Sequence, residues 1–191
     1  MELAQEIEIE FKNLLTKEEF ERLLVTLDFP EKSQTQINHY FETKDFRLSK
    51  EACALRIREK NGQYQLTLKE PHPEGLLETH DTLTEQEALN WLQGNIIVKE
   101  HTKKQLEQLN IQIGNLVYYG SLTTERRQVH YKDVLIVLDY SSYNGHSDYE
   151  FELEAPSREI GLQTFNTLLN ENSIIIKETP NKIQRFFSTY I

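Results

Sequence analysis

The stretch from Glu6 to Lys12 alternates ionisable and apolar residues. Successive side chains of a strand point to opposite faces, so Glu6, Glu8, Glu10 and Lys12 would share one face if this stretch is a strand. Three carboxylates that end on a lysine are suited to bind a divalent cation and a phosphate group. An ordinary strand with a solvated polar face is the alternative interpretation.

Charged residues repeat this alternation later in the chain. The basic group comprises Arg56, Arg58, Lys69 and Arg126, and the acidic group comprises Asp139, Glu152 and Glu154. Carboxylates hold hard divalent cations, and arginine and lysine hold phosphate oxygens. Burying so many charges costs too much desolvation unless the site stays wet or binds ions. The set therefore predicts a site for a polyanion bridged by a metal ion.

The periodicity of the chain predicts the elements that carry these charges. Strands are expected over 6–12, 34–43, 54–58, 64–69, 75–83, 115–131, 134–140 and 149–155. Asn61-Gly62 and Asn144-Gly145 are hairpin signals. Thr16 with Glu19 and Thr84 with Glu87 form capping boxes, which predict helices after them. Further helices are expected within 45–52, over 100–109, after Ser157 and from Thr179-Pro180.

Alternating strands need two environments, and helices that cover the apolar face leave the charges on the other face. A closed antiparallel barrel of about eight strands leaves an interior that one small ligand can fill. The predicted fold is therefore α+β, an eight-stranded closed antiparallel β-barrel, or tunnel, with helices packed outside.

Composition restricts the class of protein. The 191 residues predict one domain over 1–191, because a chain of this length can build its own core. The single Cys53 permits no internal disulfide, and no leader or long apolar run is visible, so a cytoplasmic protein without a membrane partner is expected. The net charge of -10 argues against a nucleic-acid partner.

At this point the sequence resembles a known family. Glu8-Ile9-Glu10-Phe11-Lys12 is similar to the Glu-x-Glu-x-Lys signature of the CYTH superfamily, the triphosphate tunnel metalloenzymes. That superfamily includes thiamine triphosphatases, inorganic triphosphatases and class IV adenylate cyclases. The other matching residues follow in the family's order: Arg56, Arg58, Lys69, Arg126, Asp139, Glu152 and Glu154, with Lys182 or Arg185 as the late basic residue. The resemblance spans nearly the whole chain and is strongest to small bacillus-type members.

The resemblance and the charge pattern together imply a metal-dependent triphosphatase that uses Mg²⁺ or Mn²⁺. Its expected metal ligands are Glu8, Glu10, Asp139, Glu152 and Glu154. Its expected substrate-binding residues are Lys12, Arg56, Arg58, Lys69, Arg126 and Lys182, and Glu8, Glu10 and Lys12 are its expected catalytic residues. The alternatives are a class IV adenylate cyclase and a non-catalytic protein that binds polyphosphate or nucleotides.

Several assignments stay open at the level of sequence. Arg126 is preferred to Arg127 for its place in the alternation, although a bulge would reverse that choice. Glu6 and Glu150 share the spacing of the acidic residues but are interpreted as solvated strand ends. Lys182 and Arg185 compete for the late basic position, and Glu78 is a weaker candidate. The physiological triphosphate, the preferred metal and the oligomeric state also stay open.

Overall fold

The computed structural model describes residues 4–190, which divide into two compact units. Unit 1 comprises residues 4–7 and 36–122, and unit 2 comprises residues 8–35 and 123–190. No helix within 4–190 combines the length and the apolar character needed to cross a membrane.

Nine strands and six α-helices lie within these described residues. The strands are β1 (Gln5–Glu8), β2 (Glu10–Leu15), β3 (Gln34–Thr43), β4 (Ala54–Lys60), β5 (Gln63–His72), β6 (Gly75–Leu83), β7 (Leu116–Tyr131), β8 (Val134–Tyr143) and β9 (His146–Glu154). The helices are α1 (Lys17–Thr26), α2 (Arg47–Lys50), α3 (Glu85–Leu92), α4 (Glu100–Gln108), α5 (Arg158–Glu171) and α6 (Lys182–Ser188), with a short 3₁₀ turn at Ile113–Asn115.

The strands of unit 1 follow the order β1-β6-β5-β4-β3-β7, and β7 contributes only its first residues to this unit. The pairs β3/β4, β4/β5 and β5/β6 are antiparallel. Asn61 and Gly62 join β4 to β5 with φ angles of 52° and 72°. Two central residues with positive φ give the turn that suits a right-handed strand twist, so the Asn-Gly prediction is confirmed.

The core of unit 1 lies on one face of its strands. Leu55 and Ile57 of β4 and Leu66 of β5 are fully buried and pack with Trp91 of α3 and Leu106 of α4. The alternate residues of β4 and β5, which carry the charges, lie on the opposite face. Helices α3 and α4 therefore cover the apolar face of this sheet.

Unit 2 repeats this arrangement with the strand order β7-β8-β9-β2. Ile136 and Leu138 of β8 and Phe151 of β9 pack with Phe20 of α1 and Phe165 of α5. The pairs β7/β8, β8/β9 and β2/β9 are antiparallel. The charged positions of these strands again lie on the face away from α1 and α5.

Local sequence signals account for the helix starts. The side chain of Thr16 accepts a hydrogen bond from the Glu19 N–H, and Thr84 does the same for Glu87, so both predicted capping boxes are confirmed. Helix α5 approaches the sheet closely at Gly161, where an added Cβ would lie 2.3 Å from the ring of Phe11. A side chain at this position would push α5 away from β2.

Besides strand ends that differ by up to three residues, two details of the predicted fold differ from the structure. Nine strands are present among the described residues instead of eight, because the opening strand is interrupted at Ile9 into β1 and β2. The last helix begins at Lys182 and not at Pro180, since the N–H of Asn181 is bonded to the Gln184 side chain at the helix start. The α+β class with antiparallel strand pairs and covering helices is confirmed.

Candidate functional site

Cross-strand pairing assembles the charges of unit 2. The paired residues are Arg126 with Asp139, Asp139 with Glu150, Glu152 with Lys12, and Glu154 with Glu10. Directly paired residues lie on the same face of a sheet with their side chains in contact range. We call this set, together with Glu8, the charged face of unit 2.

Arg126 is held by two carboxylates of this face. Its Nε donates to Asp139 Oδ1 at 2.9 Å, and its Nη2 donates to Asp139 Oδ2 at 2.6 Å and to Glu152 Oε2 at 2.7 Å. A bidentate guanidinium–carboxylate contact is among the strongest side-chain hydrogen bonds. The carboxylates raise the pKa of Arg126 even though burial opposes its charge. Arg127 instead reaches the backbone oxygen of Glu31 at 3.3 Å.

Lys182 brings a second cation into the same group. Its Nζ lies 2.9 Å from Asp139 Oδ2 and is also bonded to Glu150 and Glu152. Oxygens of these three carboxylates all lie within 4.8 Å of one another. The ammonium of Lys182 therefore occupies the centre of an acidic trio. Burial opposes its charge, but the three carboxylates outweigh burial and raise the pKa of Lys182 well above its usual range.

Arg185, one turn further along α6, extends this network. It donates to Glu150 Oε2 at 2.5 Å and to Asp148 Oδ2 at 2.9 Å, and Tyr143 donates to Asp148 at 2.8 Å. Burial raises the pKa of Glu150, whereas Lys182 and Arg126 hold the pKa of Glu152 well below its usual range. Glu150 is fully buried, so its interpretation as a solvated strand end is wrong. The prediction failed because the two cations of α6 compensate its charge.

Acidic residues crowd at the other end of the charged face. Glu154 is paired with Glu10 across the strands, and Glu8 lies close enough to repel its carboxylate. Burial first, and the charge of Glu8 second, raise the pKa of Glu154 to about 7. Adjacent carboxylates that oppose one another's ionisation are stabilised by a bound cation.

Lys12 joins the strands to the start of α6. Its Nζ donates to Glu10 Oε1 at 2.6 Å and to the side-chain oxygen of Asn181, the residue immediately before α6. An ammonium has three N–H donors, so these two hydrogen bonds within residues 4–190 leave a third donor for a ligand oxygen. The motif lysine is thus held by one charged and one neutral acceptor.

The chain between α5 and α6 is fixed to β2 by side chains. Asn13 is fully buried; its amide nitrogen donates to Ile175 O at 3.1 Å, and its oxygen accepts from the Lys177 N–H at 2.7 Å. Leu14 N–H donates to Thr179 Oγ1 at 3.0 Å. These contacts involve the two residues after Lys12, so they fix where Asn181 meets the lysine.

Unit 1 presents a second charged face, formed by Arg56, Arg58, Lys69, Glu78 and His80. Arg58 pairs with Asn38 of β3, and its Nε donates to Asn38 Oδ1 at 3.1 Å. Lys69 pairs with Glu78 of β6 and forms an ion pair with it. Glu78, a weak candidate by sequence, is therefore buried beside a predicted phosphate ligand.

His80 was not identified from the sequence. Its Nδ1 lies 3.0 Å from Thr67 Oγ1, and its Nε2 lies 3.1 Å from Glu6 and 3.4 Å from Glu78. Glu6 is half-exposed, in agreement with its interpretation as a strand end. The even spacing of Glu78 and His80 in β6 was the available signal, because it matches the two-residue period of a strand.

The structure places the predicted residues in two groups. Unit 2 brings together Glu8, Glu10, Lys12, Arg126, Asp139, Glu152, Glu154 and Lys182. Unit 1 holds Arg56, Arg58 and Lys69. Sequence reasoning missed His80 and Asn181, and it interpreted Glu150 as a solvated strand end. The spacing of Glu150 with Glu152 was a usable signal, whereas nothing local marks Asn181.

The donor chemistry of unit 2 fits a hard divalent cation. All candidate ligands are carboxylates, which suit Mg²⁺ or Mn²⁺. Glu154 is paired with Glu10 and is repelled by Glu8, so negative charge is concentrated at this end of the face. Both oxygens of Asp139 already contact cations, which distinguishes it from that crowded group.

Comparisons with known proteins agree with this arrangement. The CYTH domain model matches residues 6–187. "Putative triphosphatase YjbK" of Bacillus subtilis (strain 168) is 48% identical over 186 residues, covering 97% of this chain and 96% of that protein. The crystal structure of a "putative adenylate cyclase" from Bacillus halodurans is 46% identical, with a TM-score of 0.93, and covers 97% of this chain and 100% of that one.

A more distant structure supports the fold alone. HpAC1 from Hippeastrum, called a putative adenylyl cyclase with a dominant triphosphatase activity, is 23% identical with a TM-score of 0.79. The alignment covers 95% of this chain and 96% of that one. Its fold agrees with the α+β class found here.

Proposed function

Because the chain belongs to the CYTH domain family, we propose that it hydrolyses the terminal phosphoryl group of a triphosphate-bearing compound with the help of a divalent metal ion. The observation that carries the proposal is the charged face of unit 2, where Glu10 and Glu154 are paired beside Glu8 and next to Lys12. Carboxylates grouped with basic side chains suit a ligand made of a metal ion and phosphate groups. The name of the Bacillus subtilis relative supports the same reaction class.

Glu8, Glu10, Glu152 and Glu154 would hold Mg²⁺ or Mn²⁺. The ion would neutralise phosphate charge and lower the pKa of water that attacks the terminal phosphorus. The carboxylates would fix the ion's position on the strands, and Glu152 would share its charge with Arg126. Asp139 stays a predicted ligand whose oxygens Arg126 and Lys182 also contact.

The basic side chains would bind the phosphate oxygens. Lys12 has a third N–H donor for the substrate, and Arg126 and Lys182 would stabilise negative charge that develops on the transferred group. In unit 1, Arg56, Arg58 and Lys69 are proposed phosphate ligands. The buried Nε of Arg56 makes no hydrogen bond within the described residues, which supports a role as donor to a ligand.

A class IV adenylate cyclase is the second candidate. The Bacillus halodurans structure, 46% identical, is called a putative adenylate cyclase, and the same charges would bind the triphosphate of ATP while the ribose hydroxyl attacks. A non-catalytic protein that binds polyphosphate is the third. The single domain over 1–191, the cytoplasmic location and the small-molecule partner remain predictions of the same proposal.

The deciding experiment measures phosphate release and cyclic AMP formation side by side. Tripolyphosphate, ATP and thiamine triphosphate are each assayed with Mg²⁺ and with Mn²⁺. We expect phosphate release from at least one substrate, abolished by EDTA and by Glu10→Gln. Glu21→Gln is the matched control, since Glu21 is exposed on α1 and pairs only with Lys17 at 3.6 Å among the ion pairs of the described residues.

Each result distinguishes the candidates. Cyclic AMP formed without net phosphate release would replace the hydrolase with the cyclase. Tight binding of tripolyphosphate with no product under either metal would favour the binding protein. Equal activity of Glu10→Gln and Glu21→Gln would remove the charged face of unit 2 from the reaction.

A further inference from the structure

Three buried amide or guanidinium N–H groups of unit 1 have no acceptor among the described residues. They are Nε2 of Gln36, Nδ2 of Asn38 and Nε of Arg56. Gln36 is 2% exposed and Asn38 is 0% exposed, so neither amide can turn freely to water. Buried polar groups in folded proteins nearly always have a partner, and an exception calls for an explanation.

The strand register places these donors on one face. Asn38 of β3 is paired with Arg58 of β4, and Tyr40 is paired with Arg56. Gln36, two residues before Asn38, points to the same side of β3 because side chains alternate along a strand. The two amides therefore lie on the face that carries the arginines of unit 1.

Asn38 also fixes one of these arginines. Its Oδ1 accepts from Arg58 Nε at 3.1 Å, which directs the Nδ2 of the same amide away from that contact. An amide whose oxygen is bound to a cation is a better donor, because hydrogen-bonded chains polarise one another. The partner that Asn38 Nδ2 lacks among the described residues is thus a hydrogen-bond acceptor next to the guanidinium groups of Arg56 and Arg58.

From this geometry we infer that Asn38 and Gln36 are substrate-binding residues, whose amide N–H groups donate to non-bridging oxygens of the phosphate chain. The inference rests on the proposed function. A phosphate chain offers several acceptor oxygens close together, which suits donors spread over two neighbouring strands. The arginines supply the attraction of opposite charge, and the neutral amides orient the chain without adding charge.

A purely structural role predicts a different outcome from a binding role. If these donors bind a ligand, they are buried without a hydrogen-bond partner in the ligand-free protein, which costs stability. Replacing such an amide by an apolar side chain of similar size would then not lower the stability of the free protein. If the amides hold the sheet together, the same substitution would lower the melting temperature. A loss of affinity without a loss of stability is therefore expected only for a binding role.

The test uses Gln36→Met and Asn38→Leu in the full chain. The affinity for tripolyphosphate is measured by calorimetry in EDTA, where metal-dependent turnover is absent, and the melting temperature of the free protein is measured separately. Gln34→Met is the matched control, because Gln34 is exposed two residues earlier on β3. We expect roughly tenfold weaker binding for each variant, about the loss of one hydrogen bond to a charged acceptor, with an unchanged or higher melting temperature for Gln36→Met.

The outcomes separate this inference from the proposed function. Wild-type affinity in both variants would overturn the inference even if the wild type hydrolyses triphosphates. A lower melting temperature for Gln36→Met with unchanged affinity would assign the amides a structural role and overturn it too. Weaker binding in the variants, with a wild type that binds tripolyphosphate in EDTA but releases no phosphate from any of the three substrates with Mg²⁺ or Mn²⁺, would support the inference and refute the hydrolase. A wild type that does not bind tripolyphosphate in EDTA would overturn the inference, and phosphate release with Mg²⁺ or Mn²⁺ would then decide the proposed function separately.

Discussion

Glu154→Gln should remove a pH-dependent penalty from the metal-free protein. The pKa of Glu154 is raised to about 7 from its ordinary 4.5, first by burial and second by the charge of Glu8. The folded state therefore holds a proton that the unfolded chain releases between these two values. Stability that comes from this group is present below about pH 4.5 and is lost as the pH rises through about 7.

The magnitude follows from the difference between the two pKa values. At about 1.4 kcal/mol for each pH unit, a rise from 4.5 to about 7 corresponds to about 3 kcal/mol. Glu154 is partly exposed, so solvent screening reduces this to about 2 kcal/mol. The glutamine side chain keeps the shape of the carboxyl group and has no charge to lose.

The assay is thermal or urea unfolding of both proteins in EDTA from about pH 4 to about pH 8. The two curves should meet near the acid end, and the variant should be more stable by about 2 kcal/mol at the alkaline end. For a chain of this size that difference corresponds to a melting temperature about 4 to 8 °C higher. Added Mg²⁺ should stabilise the wild type more than the variant, because the ion favours the ionised carboxylate.

Parallel pH profiles for the two proteins in EDTA would refute the reasoning. Such a result would mean that Glu154 ionises in the folded state as it does in the unfolded chain. The repulsion from Glu8 would then be absent, and the grouping of carboxylates would lose its support as a cation site.

Three further predictions concern other buried groups. Lys182→Met should lower the free energy of unfolding by about 3 to 5 kcal/mol in urea titrations, because it removes one of the cations that compensate the buried carboxylates. The control Lys17→Met, at an exposed site, should change it by less than about 0.5 kcal/mol. Arg126→Met should lose most phosphate release while Arg127→Met keeps it, and equal rates would contradict the placement of Arg126. The pKa of the Cys53 thiol, raised by burial to about 12, predicts no reaction with a thiol-specific disulfide reagent near neutral pH until the protein is unfolded, so rapid labelling of the native protein would contradict this burial.

Local sequence patterns predicted the faces of the strands well. The alternation at Glu152 and Glu154 has the period of a strand, and the structure places their odd-numbered neighbours Phe151 and Leu153 in the core. Capping boxes and Asn-Gly turns depend on residues within a few positions of one another, so they are also visible in the sequence. These signals were sufficient for the fold class and for the charged positions of β2, β4, β5, β8 and β9.

Contacts between distant residues were beyond such signals. The burial of Glu150 depends on Lys182 and Arg185, more than 30 positions later in the chain. The contact of Asn181 with Lys12 spans 169 positions and depends on where α6 begins. No periodic pattern encodes these pairs, because they result from how the chain after α5 packs on the strands of unit 2.

The attachment of residues 175–179 to β2 also bears on how the protein behaves at high concentration. Strand β2 ends the strand order of unit 2, and an edge strand with open backbone groups is a template for pairing with another molecule. Here the side chain of Thr179 accepts a hydrogen bond from the Leu14 N–H. The side-chain amide of Asn13 donates to the Ile175 carbonyl and accepts from the Lys177 N–H. Residues 175–179, which lead to Lys182, thus shield the edge of β2. A chain shortened before Ile175 should therefore aggregate as well as lose the charged face of unit 2.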